Sequence, residues 1–206
     1  MLDIGCGTGA FAAALAERHG AKVWGVDASP EMLAVARGRV PGIVGLKAGR
    51  AEDLPFRDGW FERAVMRLTV HLLDRPLAFS EAARVLAPGG RLAIASFDPA
   101  HFDEYWLNRL FPSLERIDRA RFPSASELEQ DLAGAGFSPP RFIALHQQAA
   151  LERDSALAKI RGRHISTFQL LSPDEFERGL ARAESELPER IAYELHWLVA
   201  VSEPAG

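Results

Sequence analysis

The chain has 206 residues, of which 48% are hydrophobic and 25% are charged, and this composition predicts one soluble globular domain with a buried core. A formal net charge of −4 argues against a nucleic-acid track or an anionic membrane as partner, and no apolar run approaches the roughly 20 residues that cross a bilayer. The single cysteine, Cys6, cannot form an internal disulfide, and no secretory signal is recognisable, so we expect a cytoplasmic location.

The first half of the chain alternates segments typical of strands with segments typical of helices. We predict strands at 2–4, 22–26, 43–47, 60–67 and 91–97, with helices at 10–18, 30–37 and 76–87. Gly20 is expected to end the first helix, Pro41-Gly42 the second and Pro88-Gly89-Gly90 the third. This β–α alternation predicts a parallel sheet with helices on both faces.

The second half is less regular. Residues 101–122 are rich in aromatic side chains and partly helical in pattern. Ser124 with Glu127, and Ser172 with Glu175, have the spacing of capping boxes, and each pair is expected to open a helix. Strands are predicted at 141–147 and 191–202, the latter because apolar and polar residues alternate along it.

Residues 1–10 combine a short apolar strand, a glycine loop and the start of a helix, a pattern that binds nucleotide-like cofactors. Gly5-x-Gly7-x-x-Ala10 fits the relaxed dinucleotide fingerprint, and Asp27 lies where a ribose-binding acid is expected. NAD is therefore one candidate ligand. Asp3 argues against NAD, because a carboxylate at this point would oppose a phosphate by about 4 kcal/mol at 4 Å. S-adenosylmethionine has an ammonium group and no phosphate, so it avoids this conflict.

Residues 2–9, Leu-Asp-Ile-Gly-Cys-Gly-Thr-Gly, resemble motif I of the class I, Rossmann-like S-adenosylmethionine-dependent methyltransferases. Residues 27–32 resemble the family's ribose motif, and residues 84–92 its helix and turn before the fifth strand. Residues 51–56 resemble the adenine-side loop of the small-molecule branch, the methyltransferase type 11-like domains. The resemblance implies a seven-stranded sheet of order 3-2-1-4-5-7-6 with the last strand antiparallel. It also implies a cofactor-binding half, 1–100, and a variable cap and substrate half, 101–206, within one domain.

The resemblance also assigns residues to the cofactor. Asp3 and the backbone of Gly5, Gly7 and Gly9 would hold the methionine end. Cys6 would lie at the cofactor within this loop, where a small side chain fits. The ribose hydroxyls would be bound by Asp27, and the adenine would be contacted by Ala28, Ala51 and Glu52. The chain departs from the family pattern at position 50, where it has Arg50 and the family usually has Asp or Asn.

For several other residues, both a functional and a purely structural role fit the sequence. His71 is a candidate general base or a half-buried loop histidine, and Arg67 could face the cofactor, contact an acidic substrate or form a surface salt bridge. An aromatic group could line a substrate pocket or form a local core; it comprises Phe102, Tyr105, Trp106 and Phe111. Residues 161–167 could contact substrate or form a solvated turn. The spacing of His, Cys and carboxylate residues predicts no metal site.

These observations predict S-adenosylmethionine-dependent methyl transfer to a small molecule by a monomer or homodimer, without a nucleic-acid or membrane partner. Family members usually carry a helical segment before motif I that covers the cofactor, whereas here Met1 already precedes the first strand, so we expect this cover to be missing. One alternative is therefore a methyltransferase-like domain with weak or no activity. An NAD(P)-binding oxidoreductase is a further alternative.

Overall fold

A computed structural model describes residues 1–39 and 45–205. Its strands are β1 (Leu2–Ile4), β2 (Trp24–Asp27), β3 (Gly45–Ala48), β4 (Phe61–Arg67), β5 (Leu86–Phe97), β6 (Arg141–Glu152) and β7 (Arg190–Ser202). Its α-helices are α1 (Ala10–His19), α2 (Pro30–Arg39), α3 (Arg75–Val85), α4 (Leu114–Arg121), α5 (Ala125–Gly134), α6 (Arg153–Arg161) and α7 (Pro173–Glu186). Short 3₁₀ turns cover Val70–Leu72, Pro99–Asp103, Trp106–Arg109 and Ser166–Gln169.

The strands form one seven-stranded sheet of order β3-β2-β1-β4-β5-β7-β6, as the resemblance implied. Strands β1 to β5 pair in parallel, and the last strands are antiparallel, so the predicted fold class is confirmed. The three residues of β1 are fully buried, and Leu2 faces Trp24 of β2 on one side and Ala64 of β4 on the other. This central position places the loop after β1 at the point where the strand order reverses, which is where ligands bind in open α/β sheets.

The boundaries in the first half of the chain follow the sequence pattern, with one exception. Gly20 ends α1 in a left-handed conformation, as expected. The predicted stop at Pro41-Gly42 and the predicted strand residues Ile43 and Val44 lie outside the described residues. Helix α3 ends at Val85, and β5 begins at Leu86, so the prediction that Pro88-Gly89-Gly90 breaks the helix was wrong. These residues instead form the irregular start of β5, where the pairing with β4 shifts register.

The second half departs further from the predictions. Strand β6 continues to Glu152, and α6 follows it directly, although no helix was predicted there. The Ser124–Glu127 capping box is present with both hydrogen bonds. At α7, Ser172 Oγ accepts from the backbone N–H of Glu175 at 3.2 Å, but the carboxylate of Glu175 accepts from the backbone N–H of Ser113 at 2.8 Å. The predicted capping box is therefore half formed: Ser172 makes its hydrogen bond, but the carboxylate of Glu175 binds Ser113, which is distant in sequence.

The chain divides into two compact units. The first comprises Met1–Ser96, Ser124–Ile143 and Leu198–Gly206, and the second comprises Phe97–Pro123 and Ala144–Trp197. Each has its own apolar cluster, which includes Phe79 and Leu128 in the first unit and Phe111 and Phe168 in the second. The assignment of one domain with halves meeting at residue 100 stays a prediction.

Candidate functional site

The loop between β1 and α1 depends on glycine. Gly5, Gly7 and Gly9 have φ angles of +73°, +52° and +72°, a region that other L residues enter only with strain. At Gly5 there is a second constraint, because a Cβ atom there would lie 2.3 Å from Oγ1 of Thr69. A Cβ atom at Gly7 would meet no atom within 4 Å, so Gly7 is glycine for its backbone conformation alone. The loop is therefore both conformationally special and packed closely against the segment after β4.

Asp27 joins the end of β2 to this loop. Its Oδ2 accepts a hydrogen bond from the backbone N–H of Gly7 at 2.7 Å, and its Oδ1 accepts one from the N–H of Ser29 at 2.9 Å. Each carboxylate oxygen has two acceptor positions, so both oxygens retain one for a ligand hydroxyl. The backbone bonds fix the direction in which those positions point.

Asp3, in the middle of β1, is a buried acid. Its side chain is 2% exposed, and Oδ2 has no hydrogen-bond partner within the part of the chain that the structure describes. Burial raises the pKa of Asp3 to about 7, Asp27 adds to the rise, and the positive charge of Arg67 opposes it. A cation beside Asp3 would supply the missing partner and favour the ionised carboxylate.

A cleft of about 180 Å³ lies in the first unit beside the loop. Its lining contains Gly5, Asp27, Ala28, Ala51 and Glu52, so the structure brings these five predicted residues together. Arg50, noted from the sequence as a departure from the family, also lies in the lining, and the remaining lining residues were not identified from the sequence: Val26, Gly49, Thr69, Leu72 and Leu73.

The other predicted cofactor residues are not in the lining; they are Asp3, Cys6, Gly7, Gly9 and Arg67. The residues that sequence reasoning missed come from three separate segments. Leu68, just before Thr69, is in the left-handed region with φ +51°, which turns the chain sharply after β4. No local motif marks such a turn in the sequence.

Glu52 is held on two sides. Its Oε1 accepts from the backbone N–H of Asp74 at 3.1 Å, and its Oε2 lies 3.4 Å from the guanidinium of Arg50. The unusual arginine at position 50 therefore acts as a partner for the acid beside the cleft. Glu52 is 11% exposed, whereas Arg50 is 72% exposed.

The structure also shows the environments of Cys6, Arg67 and His71. Cys6 is buried, burial raises the pKa of its thiol to about 12, and its Sγ would lie 2.8 Å from a Cβ atom at position 25, which explains Gly25. A thiol of that pKa is not a nucleophile near neutral pH, which favours the structural reading of Cys6. The guanidinium of Arg67 lies over the ring of Phe11 at 5.5 Å. His71 is partly buried in the turn Val70–Leu72, next to the lining residue Leu72.

The aromatic group of the second unit divides into two parts. Phe111 is fully buried in the local core, and Phe102 is 2% exposed, which fits the core reading. Tyr105 and Trp106 pack against the edge of this core and also help to line a cavity of about 710 Å³ within the unit.

The segment 161–167 is held by contacts within the same unit. The guanidinium of Arg121 donates to Thr167 Oγ1 at 3.0 Å and to Ser166 Oγ at 3.1 Å, and Thr167 donates to the buried carboxylate of Asp118. Arg161 forms an ion pair with Glu184 at 2.6 Å. These contacts give Ser166 and Thr167 a structural role that the sequence reading did not include.

Comparisons with known proteins agree with this architecture. A family model described as "Methyltransferase domain" matches residues 2–94. Methyltransferase GfsG of Streptomyces halstedii is 45% identical over 101 residues, which are 46% of this chain and 36% of that protein. O-methyltransferase rstn1 of Aspergillus nomiae is 31% identical over 164 residues, which are 73% of this chain and 69% of that protein.

Among solved structures, an Anabaena variabilis protein described as a candidate methyltransferase from an antibiotic biosynthesis pathway superposes with a TM-score of 0.73. It is 25% identical, and the match covers 96% of this chain and 88% of that one. The chain spans only about two fifths of the length of several curated relatives that it matches. None of the helices within residues 1–39 and 45–205 has the length and apolarity needed to cross a membrane.

Proposed function

The chain belongs to the S-adenosylmethionine-dependent methyltransferases, and from this premise we propose that it transfers a methyl group from S-adenosylmethionine to a small-molecule acceptor. The cofactor supplies a methyl group already activated on a sulfonium, so the protein's task is chiefly to bind and orient. The main structural support for this proposal is the environment of Asp3. A buried carboxylate oxygen that has no partner among the described residues, at the base of a glycine loop, suits the ammonium group of an amino acid.

The other residues have complementary roles in this proposal. The backbone of Gly5, Gly7 and Gly9 approaches the amino-acid end of the cofactor closely, because no side chain intervenes. Asp27 accepts from the ribose hydroxyls with the free positions of its two oxygens. Ala28, Ala51 and Glu52 line the cleft and contact the adenine.

The dinucleotide alternative has less support. The relatives and structural neighbours described above are methyltransferases, and the buried acid Asp3 disfavours a pyrophosphate in the same loop. Calorimetric titration with S-adenosylhomocysteine and, separately, with NAD tests this directly. We expect heat of binding with the first ligand only. Saturable binding of NAD, with none of S-adenosylhomocysteine, would overturn the proposal.

We propose oxygen as the first acceptor atom to test, because rstn1 is named an O-methyltransferase. A hydroxyl acceptor benefits from a base, and His71, in the turn after β4, is the candidate. In an assay with labelled S-adenosylmethionine and a panel of phenols and alcohols, His71→Ala should lower turnover at least 100-fold. The same change at the exposed His19 of α1 is the control, and both variants should bind S-adenosylhomocysteine like the original chain.

The alternative of a domain with weak or no activity makes a separate prediction in the same assay. Binding of S-adenosylhomocysteine without turnover on any acceptor would support it. A cytoplasmic location and a monomeric or homodimeric state stay predictions from the sequence.

A further inference from the structure

Three potential metal ligands converge on β6 and β7, within the second compact unit. They are His146 of β6 and Glu194 and His196 of β7, and their nearest ligand atoms all lie within 4.8 Å of one another. Glu194 and His196 are two residues apart on one strand, so both side chains are on the same face of the sheet. Strand β6 is the neighbour of β7, which places His146 beside them. The sequence prediction of no metal site missed this group because sheet pairing, not local spacing, assembles it.

The carboxylate of Glu194 lies between the two imidazoles without a short hydrogen bond to either. Nδ1 of His146 lies 3.4 Å from Oε1 of Glu194, and Nε2 of His196 lies 3.6 Å from Oε2 of the same carboxylate. Both separations exceed the usual 2.7–3.2 Å of an N–H···O hydrogen bond. Each imidazole thus faces a different oxygen of Glu194, at a distance near the roughly 3.4 Å that separates neighbouring ligands of a tetrahedral ion with bonds of about 2.1 Å. Small rotations of these side chains would bring one atom of each residue, now within 4.8 Å of one another, onto a single ion.

The group is accessible to solvent, and a buried histidine lies beside it. The side chains of His146, Glu194 and His196 are 61%, 37% and 30% exposed, so an ion can enter from solvent. His101 packs against His196 with 5.8 Å between ring centroids, and it is 3% exposed. Nε2 of His101 has no hydrogen-bond partner in the described part of the chain, so this imidazole borders the group with unused hydrogen-bonding capacity.

We infer that His146, Glu194 and His196 form a binding site for a divalent transition-metal ion, with Zn²⁺ as the best match. Two imidazoles and one carboxylate are a common zinc ligand set, and with three protein ligands a fourth position stays open for water. The ion would link β6 to β7 within the second unit. This inference goes beyond methyl transfer and does not depend on it.

The test is metal binding by the purified chain after treatment with a chelator. Titration with ZnCl₂ against a chromophoric chelator should give one tight site per chain. Titration with Co²⁺ should give the visible absorption of a four- or five-coordinate ion. The melting temperature should rise with Zn²⁺ and return when the metal is removed, because a ligand that binds only the folded state stabilises it.

Variants assign the site to these residues. His146→Ala, His196→Ala and the isosteric Glu194→Gln should each weaken Zn²⁺ binding at least tenfold. His164→Ala is the matched control, since it removes an exposed histidine from the same unit and should leave the affinity unchanged. Circular dichroism of each metal-free variant checks the fold, and Glu194→Gln keeps the test valid if a histidine variant unfolds. Equal affinity in all four variants, or the absence of a tight Zn²⁺ site in the original chain, would overturn the inference.

Discussion

Asp27 accepts a hydrogen bond from the backbone N–H of Gly7 at 2.7 Å, so a single carboxylate fixes the loop after β1 and also faces the cleft. Replacing Asp27 by Ala removes the loop contact and the proposed ribose acceptor together. We expect S-adenosylhomocysteine affinity to fall roughly 100-fold or more, because hydrogen bonds to a charged group contribute about 1.5–3 kcal/mol each. Isothermal titration calorimetry measures this change.

Asp98 provides the control for this substitution. Its Oδ1 accepts from the N–H of Ala100, two residues on, in the same way that Asp27 accepts from Ser29. Asp98→Ala should therefore lose a comparable turn contact but bind S-adenosylhomocysteine normally. Unchanged affinity in Asp27→Ala would refute the ribose assignment.

Asp3→Asn should make the free chain more stable at pH 8 and weaken cofactor binding. The pKa of Asp3 is about 7 in the folded chain and 3.8 in the reference state, so the folded state retains a proton that the unfolded state loses. Stability contributed by Asp3 is therefore present at low pH and is lost as the pH rises from about 4 to about 7. Asparagine removes this loss, and we expect the Tm at pH 8 to increase by a few degrees.

In the original chain, affinity for S-adenosylhomocysteine should increase with pH, whereas the stability of the free chain should decrease. Because an ionised Asp3 attracts an ammonium group, binding should tighten as the pH rises through about 7. Asp3→Asn should bind weakly at every pH. Asp174→Asn, at the exposed start of α7, should change neither property, and a pH-independent affinity in the original chain would contradict the role of Asp3.

Gly5→Ala should be far more destabilising than Gly20→Ala. Both glycines have a positive φ, but a Cβ atom at Gly20 would meet nothing within 4 Å, whereas at Gly5 it would lie 2.3 Å from Thr69 Oγ1. Gly20→Ala should lower the free energy of unfolding by about 1 kcal/mol through backbone strain alone. At Gly5 the steric overlap adds about 1–3 kcal/mol. Urea unfolding of the two variants gives the difference, and equal losses would mean that the Thr69 contact is easily relieved.

Arg84→Lys should destabilise the segment 54–58, which follows the cleft residues Ala51 and Glu52. The guanidinium of Arg84 donates to Glu81 and Asp58 and to the backbone carbonyls of Leu54 and Phe56. Lysine cannot make so many directed bonds, and we expect a loss of about 2 kcal/mol in the free energy of unfolding. Arg91→Lys, which alters an exposed pair with Glu203, should change it by less than about 0.5 kcal/mol. Similar effects of the two substitutions would show that the Arg84 network contributes little.

The cofactor half was predictable because its signals are local. Glycines with positive φ, the Ser29-Pro30 helix start and Asp27 at the end of β2 each leave a mark in a few consecutive residues. The helix that ends before Pro88 was not predictable, because strand pairing with β4 decides that β5 begins at Leu86. Thr69 was missed for a similar reason, since only its packing against Gly5 reveals its place beside the cleft.

Predictions in the second half failed where distant residues decide the outcome. Glu175 has the spacing of a capping box, but Ser113, far away in the sequence, donates the hydrogen bond that its carboxylate accepts. His146 has no potential ligand nearby in the sequence, and only the pairing of β6 with β7 places it beside Glu194 and His196.

The double pairing of β1 has a consequence for the order of assembly. Leu2 pairs with Trp24, which closes a short segment, and with Ala64, which closes one more than twice as long. Because closing a longer segment carries a larger entropic penalty, the β1–β4 contact should form later than β1–β2. Thr69 lies two residues beyond the end of β4, so a nascent chain contains the glycine loop well before it contains the residues that complete the cleft. We therefore expect the wall of the cleft formed by Thr69, Leu72 and Leu73 to be made and placed after the glycine loop that it faces.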